Sequence, residues 1–432
     1  MPRRARSATI ERFVLGNGLR VIAAPDRSSP LVGVAVVYDV GFRSEPEGKT
    51  GFAHLFEHLM FQGSANVGKV EHVRLVEAAG GVFNGHTLAD LTAYYEALPV
   101  GGLDLALWLE ADRMGALAVT EENLRNQIAV VEEEIKVNVL NQPYGGFPWI
   151  VLPEVAFDSY ANSHNGYGDF SHLESATLED AAEFYASYYA PANAVLTVAG
   201  DCDPDEVHRL AERHFGGIAS KPAPPHGPWP EPPLAEERRR VIDDTRAPQP
   251  AFAAGYRTPP PERLEEHLPY WVTASVLADG EASRLRSRLI HRDHKVTDVG
   301  CDLGLFGVDG LFMRDPVLFR TVVFHPGSAT TDELLATIDD ELDLLAADGP
   351  TPDELDRIAA VTAASHWRGL DSVMERGITL ASLEVIHGRA ELVDELPEQL
   401  AAVGATEVAA AAADLATQRR AIVEIRPAEP PR

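Results

Sequence analysis

The segment KTGFAHLFEHLMFQG, Lys49 to Gly63, contains the residues whose types and spacing best suit catalysis. At 100° per helical residue, its apolar side chains fall on one stripe, while His54, Glu57 and His58 fall on the opposite face. Histidines at i and i+4 can direct both imidazoles at one metal ion, and a glutamate beside them can act as a base. The pattern HxxEH therefore predicts a metal site that activates water, in the inverse order of the HExxH motif.

The same residues would also suit the solvated face of an ordinary surface helix. This face carries no Lys or Arg, which a merely solvated helix often has, and Gly63 marks a defined end of the helix. Both features favour the metal site.

A third metal ligand must come from another element, because a catalytic zinc ion usually keeps three protein ligands and one water. The segment LRNQIAVVEEEIKVNVLNQPYG offers Glu132, Glu133 and Glu134. Relative to the apolar stripe of this predicted helix, Glu133 points away, while Glu132 and Glu134 lie on opposite flanks. Periodicity leaves the choice between these two open, and an ordinary acidic helix surface accounts for at least two of the three glutamates.

The elements that position these residues alternate between strands and helices in both halves of the chain. Strands are predicted at 91–99, 299–305 and 318–325, and helices at 101–115, 121–139, 331–347 and 352–368. Since single helices do not regularly separate neighbouring strands, we expect an α+β fold with largely antiparallel sheets.

A proline-rich stretch near the middle of the chain predicts a linker. The halves on either side have similar length, begin with strand-like residues and end on a β-rich run, which indicates an internal duplication. The predicted organisation is an N-terminal domain 1–215, a linker 216–238 and a homologous C-terminal domain 239–432.

Composition excludes several classes of function. Among 432 residues, 66 are acidic and 37 basic, and the net charge of −29 disfavours binding to nucleic acid or anionic lipid. Cys202 and Cys301 are the only cysteines and have no CxxC spacing, so any metal must be held by histidines and carboxylates. With no apolar run of transmembrane length and no visible secretory signal, we expect a cytoplasmic protein without a membrane role.

Several motifs in the same order resemble the pitrilysin and insulinase family of zinc peptidases, which includes the mitochondrial processing peptidases. They are GFAHLFEHLMFQGS, GGVFNGHTLADLTAYYEALP, NQIAVVEEEIKVNVLNQPYG and DGEASRLRSRL. The resemblance runs along most of the chain and implies two similar α+β domains that close like a clamshell.

The resemblance also assigns roles to individual residues. It implies one Zn²⁺ per chain, bound by His54, His58 and Glu134, because Glu134 lies 76 positions after His58, the spacing of the third ligand in that family. It implies that Glu57 is the general base. Where relatives often carry a further glutamate, this chain has Gln127, which can hydrogen-bond but cannot act as a charged partner.

Substrates of the family lie extended against a sheet edge near the zinc ion. The resemblance makes residues 81–95 the candidate edge here, with Asn84, Gly85 and His86 as candidate peptide contacts. For the neighbouring aromatic residues of this segment, ordinary strand packing is an equal alternative.

The second half departs from the pattern of active relatives, which present an Arg and a Tyr to the substrate carbonyl or the tetrahedral intermediate. The candidate Arg is Arg292, but Thr297 stands where the Tyr is expected. The loss of one such donor typically costs about 100 to 1000 fold in turnover. We therefore expect a homologous partner subunit that carries the pair, in a heterodimer, with a homodimer as the alternative.

The sequence thus predicts a zinc-dependent endopeptidase for short or unfolded peptides, including leader or processing peptides. One alternative is a noncatalytic scaffold or peptide-binding subunit of the same fold, although such subunits usually lose part of HxxEH and this chain keeps all of it. Another alternative is hydrolysis of a nonpeptide amide by the same water and base.

Overall fold

The chain forms two compact units, as seen in a computed structural model that describes residues 10–219, 222, 224–305 and 308–429. Residues 1–9 of the predicted first domain and residues 220, 221 and 223 of the predicted linker lie outside the described part. The first unit combines residues 1–133, 166–226 and 365–395, and the second combines 134–165, 227–364 and 396–432. Both units are discontinuous in sequence, so their bounds differ from the predicted contiguous domains.

The strands form two six-stranded sheets, one in each unit. In chain order they are β1 Glu11–Val14, β2 Arg20–Pro25, β3 Leu31–Tyr38, β4 Val82–Thr87, β5 Thr92–Pro99, β6 Ala194–Gly200, β7 Arg238–Asp244, β8 Ala251–Arg257, β9 Asp298–Leu305, β10 Val308–Asp309, β11 Leu318–Phe324 and β12 Ala421–Pro427.

The α-helices are α1 Phe52–Leu59, α2 Glu71–Ala78, α3 Leu103–Gly115, α4 Glu121–Ile135, α5 Val151–Ala156, α6 Tyr160–Ser163, α7 Phe170–Glu174, α8 Leu178–Tyr188, α9 Pro204–Phe215, α10 Leu264–Ala278, α11 Thr331–Asp348, α12 Pro352–Gly369, α13 Val373–His387, α14 Leu392–Ala402 and α15 Ala405–Thr417. Single turns of π-helix follow at Lys136–Leu140 and Arg286–Arg292. Within the described ranges, no single helix is long and apolar enough to cross a membrane; α14 and α15 meet that requirement only as a pair bent by 84°.

Both sheets share one five-strand order, β2-β6-β3-β5-β4 in the first unit and β7-β12-β8-β11-β9 in the second. In each, the first pair is parallel and the other three pairs are antiparallel. Strands β1 and β10 add a sixth strand at opposite ends of this order. The α+β fold with two homologous, largely antiparallel sheets is therefore confirmed, with one parallel pair in each sheet.

Strands β3 and β6 at the centre of the first sheet are buried over almost their whole length, because helices cover both faces. Helix α13 covers one face so closely that a Cβ added at Gly33 of β3 would overlap the carbonyl oxygen of Val373. On the other face, the guanidinium carbon of Arg113 in α3 lies 4.4 Å from the ring centroid of Tyr94 in β5.

The second sheet also receives a helix from the other half of the sequence. Helix α5 lies against β12 and β8, where a Cβ added at Gly255 would lie 3.0 Å from a methyl carbon of Leu152. This exchange of α5 and α13 explains why the compact units are discontinuous. Local periodicity could not predict this packing of α5 and α13, because it does not indicate the sheet against which a helix packs.

Candidate metal centre

Helix α1 carries the HxxEH motif on a segment that is apolar on its other side. Its apolar stripe is buried in the first unit. His54 is also buried, with 7% of its surface exposed, whereas Glu57 and His58 are half-buried. The two faces predicted from the 100° period are therefore present.

Two contacts from outside the helix hold α1 in place. The Glu45 carboxylate accepts hydrogen bonds from the backbone N–H groups of Gly51, at 2.9 Å, and Ala53, at 2.8 Å, which satisfies donors at the start of the helix. The Tyr94 hydroxyl donates to the Phe56 carbonyl over 3.3 Å. Burial raises the pKa of Tyr94 well above its ordinary value, so this hydroxyl stays protonated.

The predicted metal ligands converge. One nitrogen from each of His54 and His58 and one carboxylate oxygen of Glu134 all lie within 4.8 Å of one another. The imidazole of His54 also meets the ring of Tyr167 edge to face, with centroids 5.7 Å apart. Glu134 lies on α4, directly after the residue at which the first unit ends. Helix α4 continues across this boundary without a break.

The structure also distinguishes the three adjacent glutamates of α4. Glu133 is exposed, as the apolar stripe predicts. Glu134 groups with the two histidines, and Glu132 lies outside that group. Of the two glutamates that periodicity left open, Glu134 is therefore the one whose carboxylate lies near both histidines.

Strand β4 contacts the side chain of Glu57. The Thr87 hydroxyl donates a hydrogen bond to Glu57 Oε2 over 2.7 Å. A Cβ added at Gly85 would lie 3.3 Å from Glu57 Cγ. The end of β4 therefore lies against the Glu57 side chain and hydrogen-bonds its carboxylate.

The three predicted peptide contacts do not share a face of β4. Gly85 faces Glu57, and strand alternation turns Asn84 and His86 to the opposite face. There, His86 Nδ1 lies 3.4 Å from the Tyr95 hydroxyl, and burial lowers the pKa of His86 to about 4. The Asn84 side-chain oxygen accepts from the Gly85 N–H over 2.9 Å. His86 is therefore a neutral imidazole at neutral pH.

The donor set fits zinc. Two imidazoles and one carboxylate are ligands that Zn²⁺ favours, and three protein ligands leave a fourth position for water or substrate. The placement of His54, His58 and Glu134 within 4.8 Å of one another allows all three to bind one ion.

Comparison with known families matches both halves of the chain. Residues 20–145 match the family model described as "Insulinase (Peptidase family M16)", and residues 175–361 match the one described as "Peptidase M16 inactive domain". The chain belongs to the insulinase (pitrilysin) family, M16. The HxxEH motif and Glu134 lie in the first matched region.

Individual relatives of this M16 protein are named zinc proteases. The zinc protease PqqE of Helicobacter pylori is 30% identical over 285 residues, which is 65% of this chain but only 64% of that protein. An uncharacterized zinc protease of Streptomyces coelicolor is 24% identical over 97% of this chain and 90% of its own length. The crystal structure of a protease from Helicobacter pylori covers 97% of this chain and 100% of that chain, with a TM-score of 0.88 and 24% identity, and shows the same fold.

A relative of another kind is subunit 1 of the human mitochondrial cytochrome b-c1 complex. It is 28% identical over 205 residues, which is 48% of this chain and 42% of that protein. The relatives of this chain therefore include a protein that is not named a protease, and the activity of this chain must be argued from its own site.

Two further residues singled out from the sequence are Gln127 and Arg292. Gln127 is buried on α4, with 5% of its surface exposed. Arg292 belongs to the second unit, at the end of the π-turn Arg286–Arg292, where its exposed guanidinium pairs with Asp293 at 2.9 Å.

The hydroxyl of Thr297, the residue at which the sequence led us to expect a tyrosine, is hydrogen-bonded locally. It donates to the Phe324 carbonyl over 3.0 Å and accepts from the Gln249 side-chain amide over 2.8 Å. Both hydrogen bonds of the Thr297 hydroxyl are therefore made to residues of the second unit.

Sequence reasoning missed two residues that support the site, Glu45 and Thr87. A signal for Thr87 was available, since it lies two positions after Gly85 and strand alternation places both on the same face. No local pattern identifies Glu45, because it reaches the start of α1 through the preceding loop.

Proposed function

We propose that this M16 protein is a zinc-dependent endopeptidase that hydrolyses short or unfolded peptides. The observation that carries the proposal is the convergence of His54, His58 and Glu134 within 4.8 Å of one another, with Glu57 next to His58 on the same helix. The zinc proteases among its relatives support the choice of metal.

Each side chain has a chemical role in this proposal. A zinc ion held by His54, His58 and Glu134 would supply Lewis-acid chemistry that lowers the pKa of water and polarises a peptide carbonyl. Glu57 accepts a proton from the attacking water and returns it to the leaving amine. A single carboxylate can do both because it is protonated after the first transfer.

The edge of the first sheet favours an extended peptide as the substrate. Strand β4 stands at the end of the strand order, so its outer backbone groups can pair with a further strand. Gly85 brings this strand close to Glu57. Because strand addition needs a free extended segment, short or unfolded peptides, including leader peptides, fit better than folded proteins.

We further propose that a homologous subunit completes the catalytic site. The support is that the Thr297 hydroxyl already hydrogen-bonds the Phe324 carbonyl and the Gln249 side chain, at the position where the family resemblance led us to expect a tyrosine. A partner chain would then supply the Arg and Tyr pair in a heterodimer. A homodimer is the alternative assembly.

The test is expression of the chain alone and together with its genomic neighbour, followed by metal analysis and digestion of a peptide library. The proposal expects about one zinc ion per chain and cleavage of peptides that the Glu57→Gln variant does not cleave. Cleavage that persists in Glu57→Gln, or a metal-free protein that cleaves equally well, would count against it.

A noncatalytic scaffold is the second candidate, and the similarity to cytochrome b-c1 subunit 1 is the observation that favours it. The intact set of His54, Glu57, His58 and Glu134 favours the enzyme instead. Zinc binding without peptide hydrolysis, with and without the partner subunit, would support the scaffold.

A further inference from the structure

We propose that Thr87 is a positioning residue that fixes the carboxylate of Glu57 for proton transfer. The inference deepens the proposed function and rests on it. It assigns to the last residue of β4 a role in catalysis that the HxxEH motif does not contain.

The contact itself is short and involves a carboxylate. The Thr87 hydroxyl donates to Glu57 Oε2 over 2.7 Å, and hydrogen bonds to charged acceptors are about twice as strong as neutral ones. An unanchored glutamate on a helix can adopt several rotamers. This bond selects the rotamers in which Oε2 points to β4.

The backbone that carries Thr87 is itself held firmly. Thr87 pairs with Thr92 at the end of the β4–β5 hairpin, which the bond from the Leu88 N–H to the Leu91 carbonyl closes over 2.8 Å. Thr92 is fully buried, and its own hydroxyl donates to the Val40 carbonyl. The anchor for Glu57 is therefore part of a rigid hairpin.

Another residue of the same strand, Gly85, lies close to the part of the Glu57 side chain that is nearer its backbone. Gly85 lies on the same face as Thr87, and a Cβ there would lie 3.3 Å from Glu57 Cγ. The strand thus borders Glu57 at Cγ and binds it at Oε2. A peptide that pairs with β4 would lie against the same strand that orients Glu57. Because the Thr87 hydroxyl orients the base, its loss should lower kcat without raising KM.

Three variants test this inference. Thr87→Val keeps the shape and removes the hydroxyl, and Thr87→Ser keeps the hydroxyl. The matched control is Thr197→Val in β6 of the same sheet, where a buried hydroxyl has no hydrogen-bond partner among the described residues. Each variant is measured as the zinc-loaded protein, with its partner subunit if the wild type needs one.

We expect Thr87→Val to lower kcat by about 10 to 100 fold, since small misplacements of a catalytic group have effects of this size. KM, zinc content and unfolding temperature should stay at wild-type values. Thr87→Ser should restore kcat, and Thr197→Val should leave it unchanged. A purely structural role would instead change the unfolding temperature, zinc content or KM.

Crystal structures of the zinc-loaded wild type and Thr87→Val give a readout that does not depend on activity. We expect Glu57 to point its Oε2 at Thr87 in the wild type and to adopt another rotamer, or several rotamers, in Thr87→Val. An unmoved Glu57, an unchanged kcat in Thr87→Val, or a Thr87→Ser variant as slow as Thr87→Val would overturn it. If the wild type binds zinc yet cleaves nothing, the proposed function fails, while the crystal structures still decide whether Thr87 fixes Glu57.

Discussion

The imidazole rings of His54 and His58 meet edge to face, with their centroids 5.0 Å apart and their planes at 87°. The i, i+4 spacing on α1 brings them together, and the carboxylate of Glu134 reaches the same place from α4. Because the proposed ligands and the proposed base, Glu57, are different side chains, single mutations can test their roles separately.

The first prediction concerns metal content. His54→Ala should lose zinc and hydrolysis together because it removes a ligand, whereas Glu57→Gln should keep zinc and lose hydrolysis. His86→Ala is the matched control, because this imidazole lies beside Tyr95 and is not one of the three side chains that converge. The His86→Ala variant should retain zinc. Metal analysis of the purified variants decides, and equal zinc loss in His54→Ala and Glu57→Gln would contradict the role given to Glu57.

Periodicity was sufficient to predict α1, because eight residues with one apolar stripe leave His54, Glu57 and His58 on the other face. It also predicted the exposure of Glu133. It could not choose between Glu132 and Glu134, because that choice depends on where the second helix lies relative to the first. Similarly, the predicted helix 121–139 ends as an α-helix at Ile135 and continues as a π-turn, which residue propensities do not indicate.

The second prediction concerns the missing tyrosine. Because the Thr297 hydroxyl is engaged by Phe324 and Gln249, the chain alone should hydrolyse peptides weakly. Addition of a homologous subunit with the Arg and Tyr pair should raise turnover by about 100 to 1000 fold. The measurement is kcat/KM on a fluorogenic peptide. Full activity in a verified monomer would contradict this prediction, and activity that rises with the concentration of the chain alone would favour a homodimer.

A buried group of ionisable side chains underlies the third prediction. Glu96 is fully buried, and burial raises its pKa to about 8. His72 Nε2 lies 3.6 Å from Glu96 Oε2, and burial lowers the pKa of His72 to about 4. Beside them, Glu110 and Arg113 form a buried ion pair. At neutral pH this buried group therefore contains a protonated Glu96 next to the neutral imidazole of His72.

The free energy of unfolding should fall as pH rises from about 6.5 to 8. In this window the folded state still holds the Glu96 proton that the unfolded chain, with an ordinary value of 4.5, has released. Below 6.5, His72 acts in the opposite direction, because the unfolded histidine binds a proton that the folded one does not. The expected loss across the window is about 1–2 kcal/mol.

Urea unfolding at several pH values tests this dependence. Glu96→Gln should remove the fall between pH 6.5 and 8, because an amide keeps the shape and does not titrate. Glu122→Gln, at an exposed position in the same unit, should retain the wild-type profile. A Glu96→Gln profile parallel to that of the wild type would show that Glu96 is not the titrating group.

The last prediction concerns the helix that the first sheet receives from the second half of the chain. A Cβ at Gly33 would overlap the backbone of Val373, so Gly33→Ala must push α13 away from β3 and should destabilise the first unit by about 1–3 kcal/mol. At the same interface, a Cβ at Gly377 would make only ordinary van der Waals contacts, 3.6 Å from the Ala35 side chain and 3.8 Å from the Gly33 carbonyl oxygen. Gly377→Ala should therefore be neutral or stabilise the helix by up to about 1 kcal/mol. Thermal unfolding measures both changes. If the two variants have the same unfolding midpoint, the close approach at Gly33 does not hold α13 on this sheet, and the discontinuous unit must be held together by other contacts.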